Sequence, residues 1–149
     1  MINESKRGSV TRITMWSGQD GAVPLESDLV GVEFRGRLGH PSSFGLLIGK
    51  SSPQEPGVLI DSKLSDELLK VVSVAGDRAF DGVSEPEYCA TIRASAQKLG
   101  LCIVAAVAGE ISSSRIVFSR LSVVLSAALS SPSLMLSDDQ VWSFWDAER

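Results

Sequence analysis

The chain has little of what most catalytic and metal-binding sites are made from. His40 is the only histidine among 149 residues, which excludes an H-E-x-x-H site and any zinc centre built from several imidazoles. Two cysteines are present, Cys89 and Cys102, too far apart for C-x-x-C, so zinc-ribbon and thioredoxin-type motifs are excluded as well. Each sits among apolar neighbours, where a free thiol behaves as a small buried hydrophobe. No cofactor or metal is expected.

Excess positive charge is also missing. Lys and Arg number 14 against 18 Asp and Glu, for a net charge of −4 and a pI near 5.0. The basic residues are scattered, so the chain lacks the field that gathers phosphates, and nucleic-acid or anionic-membrane binding is disfavoured. A basic protein partner fits this charge better. Long hydrophobic runs are absent too: "LCIVAAVA" and "LSVVLSAAL" are too short to span a bilayer. The polar start "MINESKRGSVTR" carries no apolar signal core, so a cytoplasmic location is the expectation. With no repeat and no linker, a hydrophobic fraction of 44% and a charged fraction of 21% describe one globular domain over residues 10–149, preceded by a flexible terminus at 1–9.

What is present reads as strands first and helices later. "VTRITMW" (10–16) is β-branched and aromatic, and ends at the turn-rich "SGQDGAVP". "LVGVEFRGRL" (29–38) alternates cleanly, with Val30, Val32, Phe34 and Leu38 on one side and Gly31, Glu33, Arg35 and Arg37 on the other, the pattern of a half-buried antiparallel strand. "FGLLIG" (44–49) reads as its hairpin partner across a loop holding His40. "VLID" (58–61) predicts another strand.

Ser65 is the expected cap of a helix ending before Gly76. In "SEPEYCATIRASAQKLG", Ser84 and Glu87 form a capping box, Tyr88, Ile92, Ala96 and Leu99 share a face, and Gly100 closes the helix. "LCIVAAVA" (101–108) reads as a buried strand and "RIVF" (115–118) as its hairpin partner. "LSVVLSAAL" (121–129) fits both periods, but a strand running on from 115 would be too long, so helix is predicted. A last helix begins at Ser137 with Gln140 completing its box. Strands grouped with strands and helices with helices predict an α+β fold, mainly antiparallel, with three to four helices on the sheet.

Few residues point to chemistry. His40 with Ser42 and Ser43 lacks a G-x-S-x-G elbow, and "GVEFRGRL" fails as a phosphate loop because it is a strand and lacks the Ser or Thr. "GDRAFDGVSEPEY" gathers Asp77, Asp81, Glu85 and Glu87, but without the spacing of a calcium loop. An enzymatic reading, hydrolase-like, would rest on His40 with Arg35 or Arg37, or on Asp77 and Asp81 as an acid–base pair. "VWSFW" favours Phe144 and Trp145 facing inward and Trp142 outward, where tryptophan anchors partners.

No catalytic signature is assembled. The leading expectation is therefore a small acidic non-enzymatic module, of immunity, inhibitor or adaptor type, that binds a protein partner through Trp142, Glu33, Arg35 and Arg37. Self-association through an exposed strand edge or the last helix is a further reading.

Overall fold

A strand whose every residue is apolar or glycine needs cover on both faces, and the segment β7 (Leu101–Gly109) is buried at each position. It sits inside the sheet accordingly. The computed structural model describes residues 1–37 and 42–147, without the side chains of Arg37 and Ser42. Over these residues β1 (Ile2–Arg7), β2 (Thr11–Ser17), β3 (Val30–Arg37) and β4 (Ser42–Ser51) form an antiparallel meander that continues into β7. On the far side of β7 lie the short β5 (Gly57–Val58), parallel, and β6 (Ala79–Asp81), antiparallel. Four helices complete the fold: α1 (Ser62–Val71), α2 (Pro86–Leu99), α3 (Arg115–Ser130) and α4 (Asp138–Ala147). The architecture is the expected α+β type, a mostly antiparallel sheet in one compact domain.

The two faces of the sheet are covered unequally. On the first, Ile13, Met15, Val32, Phe34, Leu47 and Ile103 form one core with residues of α2, α3 and α4. Gly45 lets α3 settle close to β4, because a Cβ there would stand 2.6 Å from Val117 Cγ1. Trp145 of α4 stacks on Phe34 with ring centroids 4.2 Å apart. On the second face, Phe44, Leu46, Ile48, Leu64, Leu68 and Val107 make a separate cluster under α1. A register shift between Ile48 and Gly49 marks a bulge, and both Val104 and Ala105 of β7 join this second cluster.

Several expectations need correcting. Residues 2–7 are no frayed end: they pair with β2 from Ile2↔Trp16 to Arg7↔Thr11. Polar bonds to α4 hold them there, from Ser5 Oγ to Asp138 at 2.8 Å and between Arg7 and Asp146 at 2.7 Å. Asp61, not Ser65, caps α1 by accepting from the Leu64 N–H, while Ser65 is buried inside the helix. The box at Ser84 does not form either. Glu85 occupies the cap position of α2 without a side-chain bond, and Glu87 instead pairs with Arg115 at 3.1 Å.

"RIVF" is the first turn of α3 rather than a strand, because Ser114 caps it by accepting from the Val117 N–H. The hairpin-like neighbour at that end of β7 is β6. The helix over 121–129, the end of α2 at Gly100 and the reciprocal Ser137–Gln140 box are found as expected.

On the second face the anchor is Trp16. Its indole lies over Gly31 of β3, is backed by Gly21, and donates to the Val23 carbonyl at 3.1 Å. A side chain at residue 31 would enter the indole: an added Cβ meets Trp16 Cζ2 at 2.5 Å. Gly31→Ala is therefore expected to cost about 1–3 kcal/mol of stability by overpacking. Urea unfolding of the two proteins side by side checks it, and equal midpoints would contradict the packing described.

Candidate functional site

The second face is open where the first is closed. α1 covers β4 and β7, and the segment after β2 covers Trp16, but among the described residues no helix lies on this side over the ends of β1, β2 and β3 nearest residues 6, 12 and 35. Side chains of paired residues there fall into three rows across the strands. Ile2, Trp16, Gly31 and Ile48 form an apolar row. Glu4, Thr14, Glu33 and Leu46 form an acidic one. Lys6, Arg12, Arg35 and Phe44 form a cationic one.

Like charges directly opposite one another in a sheet are unfavourable, so three cations in one row need compensation. The neighbouring row supplies it. Glu4 lies 3.5 Å from Lys6 Nζ and 3.6 Å from Arg12 Nε, and Glu33 pairs with Arg35 at 2.7 Å. The Glu33–Arg35 pair is the better shielded, with side-chain exposures of 14% and 26%, while the pairs at Glu4 are solvated and contribute little to stability. The Arg35 guanidinium also lies 4.8 Å from the centroid of the Phe44 ring, a further favourable contact for its charge.

A cleft of about 370 Å³ opens beside the cationic row. Its floor is Arg12, Arg35 and Phe44, and its walls bring Ser43, Val74 and Ser112. A second hollow of about 490 Å³ shares Arg12 and Arg35 and reaches Glu4, Thr14 and Glu33. Arg12 is thus the residue on which the open face converges.

The wall is held by the turn after β7. Phe44 N–H donates to the Ser112 carbonyl, Ser113 Oγ donates to the Phe44 carbonyl at 2.7 Å, and Tyr88 Oη donates to the Ser113 carbonyl at 2.8 Å. Burial pushes the Tyr88 phenol up from its ordinary value, with Glu87, Glu85 and Asp77 adding to the shift.

Asp77 locks the same turn to the segment that follows α1. Its carboxylate accepts from the Ile111 and Ser112 N–H groups, the Ser112 hydroxyl and the Arg78 N–H. Burial alone would raise its pKa, but these hydrogen bonds outweigh that and hold it below the ordinary 3.8. Asp81 likewise accepts from the Val83 N–H in a local turn. Both carboxylates expected as an acid–base pair are thus engaged in holding loops.

Of the other expected residues, Glu33 and Arg35 do share the open face, and the backbone of Arg37 continues β3 beside them. The Arg37 side chain and His40 lie outside the described residues. Trp142 sits elsewhere, on the helical side of the sheet, half-buried beneath Arg7, whose guanidinium carbon is 4.3 Å from its ring. Phe144, expected inward, is the more exposed of the two, whereas Trp145 and Val141 face the core. The reason is Phe34: its ring takes Trp145 as stacking partner, which turns Phe144 toward solvent.

Lys6, Arg12, Thr14 and Ser112 are additions that the sequence reading did not single out. The alternation Arg12, Thr14, Trp16 was a usable signal, but its neighbours became visible only with the register. Among the described residues no group of three or more His, Cys, Asp or Glu is placed to hold a metal ion. No helix among them is long and apolar enough to cross a membrane. Compared with known proteins, the chain matches no family model, no curated protein and no solved structure.

Asp77→Ala is expected to lower stability by about 1–2 kcal/mol at neutral pH, from loss of charge-assisted hydrogen bonds at a partly exposed site. Because the folded pKa is depressed, this contribution is present above 3.8 and fades as the pH falls through the lower folded value. Urea unfolding of both proteins across that range should show the difference shrinking in acid. A difference independent of pH would show that the carboxylate charge is not what holds the turn.

Proposed function

We propose that the chain is a non-catalytic protein-binding module, of inhibitor, immunity or adaptor type, and that its docking surface is the open face of β1, β2 and β3. The observation that carries this reading is the convergence of two clefts on Arg12 and Arg35, on a sheet face that the fold leaves uncovered. A row of paired cations is a poor way to stabilise a sheet and a good way to meet a carboxylate. Guanidinium groups take carboxylates in two parallel hydrogen bonds, and Arg12 and Arg35 both line the cleft.

The segment of the partner that enters is acidic in this account, with an apolar residue against the exposed Val10 at the cleft. The overall charge of −4 favours a partner that is basic elsewhere, through long-range attraction. The two preferences act on different length scales. Glu4 and Glu33 leave the surface mixed in sign, which penalises a uniformly acidic competitor.

Affinity capture from an extract of the source organism tests the reading, run with the unchanged protein, Arg12→Glu and the distant control Arg93→Glu. Arg12 is solvated and, among the described residues, its ion pair is with Glu4, so its reversal leaves the fold intact. A partner held by the unchanged protein and the control, and weakened about tenfold or more by Arg12→Glu, is the expected result. Equal retention by all three proteins would place the binding surface elsewhere and overturn the reading.

A further inference from the structure

We infer that the outer edge of β1 pairs with β1 of a second copy, antiparallel about a two-fold axis at Ser5, so that one sheet runs through two molecules. Among the described residues β1 ends the sheet and has β2 as its neighbour. The Met1 and Ser17 backbones exchange both of their hydrogen bonds, Met1 N to Ser17 O at 3.0 Å and Ser17 N to Met1 O at 2.8 Å. In an antiparallel ladder such mutual pairs alternate with open ones. Asn3, Ser5 and Arg7 therefore point their backbone groups at β2, and Ile2, Glu4 and Lys6 point theirs away from the sheet, toward a further strand.

That alternation limits how two copies can meet. A second β1 must set its own outward residues opposite these, which excludes every register that pairs an even-numbered residue with an odd-numbered one. Of the remaining registers, centring on Glu4 or Lys6 places like charges face to face, which is destabilising. Centring on Ser5 places Glu4 against Lys6 of the second copy and Lys6 against its Glu4. Both pairs are of opposite charge, and both are of the hydrogen-bonded kind.

The same register disposes of two exposed apolar side chains. Ile2 and Val10 are 55% and 57% exposed. A hollow of about 290 Å³ lies on the same face at the β1–β2 turn, lined by Lys6, Gly8, Val10 and Arg12 among others. Ile2 of the second copy falls opposite Gly8, at the rim of that hollow and beside Val10. On the helical face, the Ser5 side chains nearest the axis are buried under their own chain, bonded to Asp138 and Asn3, so the strands meet there through their backbones, and Arg7 of the second copy falls opposite Asn3, whose amide is bonded to Asp138. Edge strands are commonly guarded by charge against indiscriminate pairing; here the two charges on the edge are of opposite sign and in the order that favours the Ser5-centred register over those centred on Glu4 or Lys6.

Charge reversal gives a decisive test. Sedimentation velocity on the whole chain, from low-micromolar to near-millimolar concentration, should show a monomer–dimer equilibrium. Glu4→Lys and Lys6→Glu are each expected to weaken the dimer about tenfold or more, because each makes both cross-copy pairs like-charged. Mixing the two variants should restore association as a one-to-one heterodimer, since lysines at 4 and 6 then face glutamates. The double reversal Glu4→Lys with Lys6→Glu should restore the homodimer.

Glu4→Pro should abolish association while keeping the monomer folded, because the Glu4 N–H faces outward and takes no part in the β1–β2 ladder. Circular dichroism of each variant verifies folding. A protein monomeric at all concentrations would overturn the proposal. So would a dimer indifferent to Glu4→Lys and Lys6→Glu, or single variants that fail to associate when mixed.

Discussion

The structure turns on β7. Its nine residues are buried throughout, so helices must lie against both of its faces, and the chain supplies them unequally. Three helices with Phe34, Trp145 and the α3–β4 contact fill one side of the sheet from β7 out to β2. A single helix and a loop are left for the other side. One helix cannot cover a six-strand width, given an inter-strand spacing of about 4.8 Å and a helix diameter of about 10 Å. Among the described residues the far strands consequently carry no helix on that face, and their sequences match this: Glu4, Lys6, Arg12, Thr14, Glu33 and Arg35 stand where apolar residues would otherwise be needed.

The bare region is rigid in its floor and locked at its wall. The sheet registers fix Arg12 beside Arg35, and the turn at residues 109–113 is tied to β4 through Ser113 and to the α1 exit through Asp77. Binding groups set on a hydrogen-bonded scaffold lose less conformational freedom when a partner arrives. Two surfaces would then serve two kinds of association: we propose that the face around Arg12 meets an acidic segment and that the edge of β1 meets its own copy.

Much of the fold was legible in the sequence because it rests on local signals. Alternation in "LVGVEFRGRL", the unbroken "LCIVAAVA", the Ser137–Gln140 box and the Gly100 stop each report a short-range constraint. The misreadings share a cause. β1 is polar, and its order comes from Asp138 and Asp146 far along the chain, so nothing within residues 1–9 announces it. Ser114 caps α3 and Asp61 caps α1, in each case only a few residues from where a different cap or strand looked plausible.

The site was half legible for the same reason: Glu33 and Arg35 stand out within β3, but Arg12 joins them only through the β2–β3 register. Phe144 was misread because "VWSFW" offers more than one face to the core, and Trp145 stacked on Phe34 leaves Phe144 toward solvent.

The central claim is that the open face around Arg12 and Arg35 is where a partner protein sits. Arginine-selective labelling of the chain, alone and in complex with its captured partner, followed by peptide mass spectrometry, tests it most directly. The account predicts that Arg12 and Arg35 lose reactivity in the complex while the exposed Arg93 and Arg115 keep theirs. Unchanged labelling at Arg12 and Arg35, with protection appearing instead on the helical side, would contradict it.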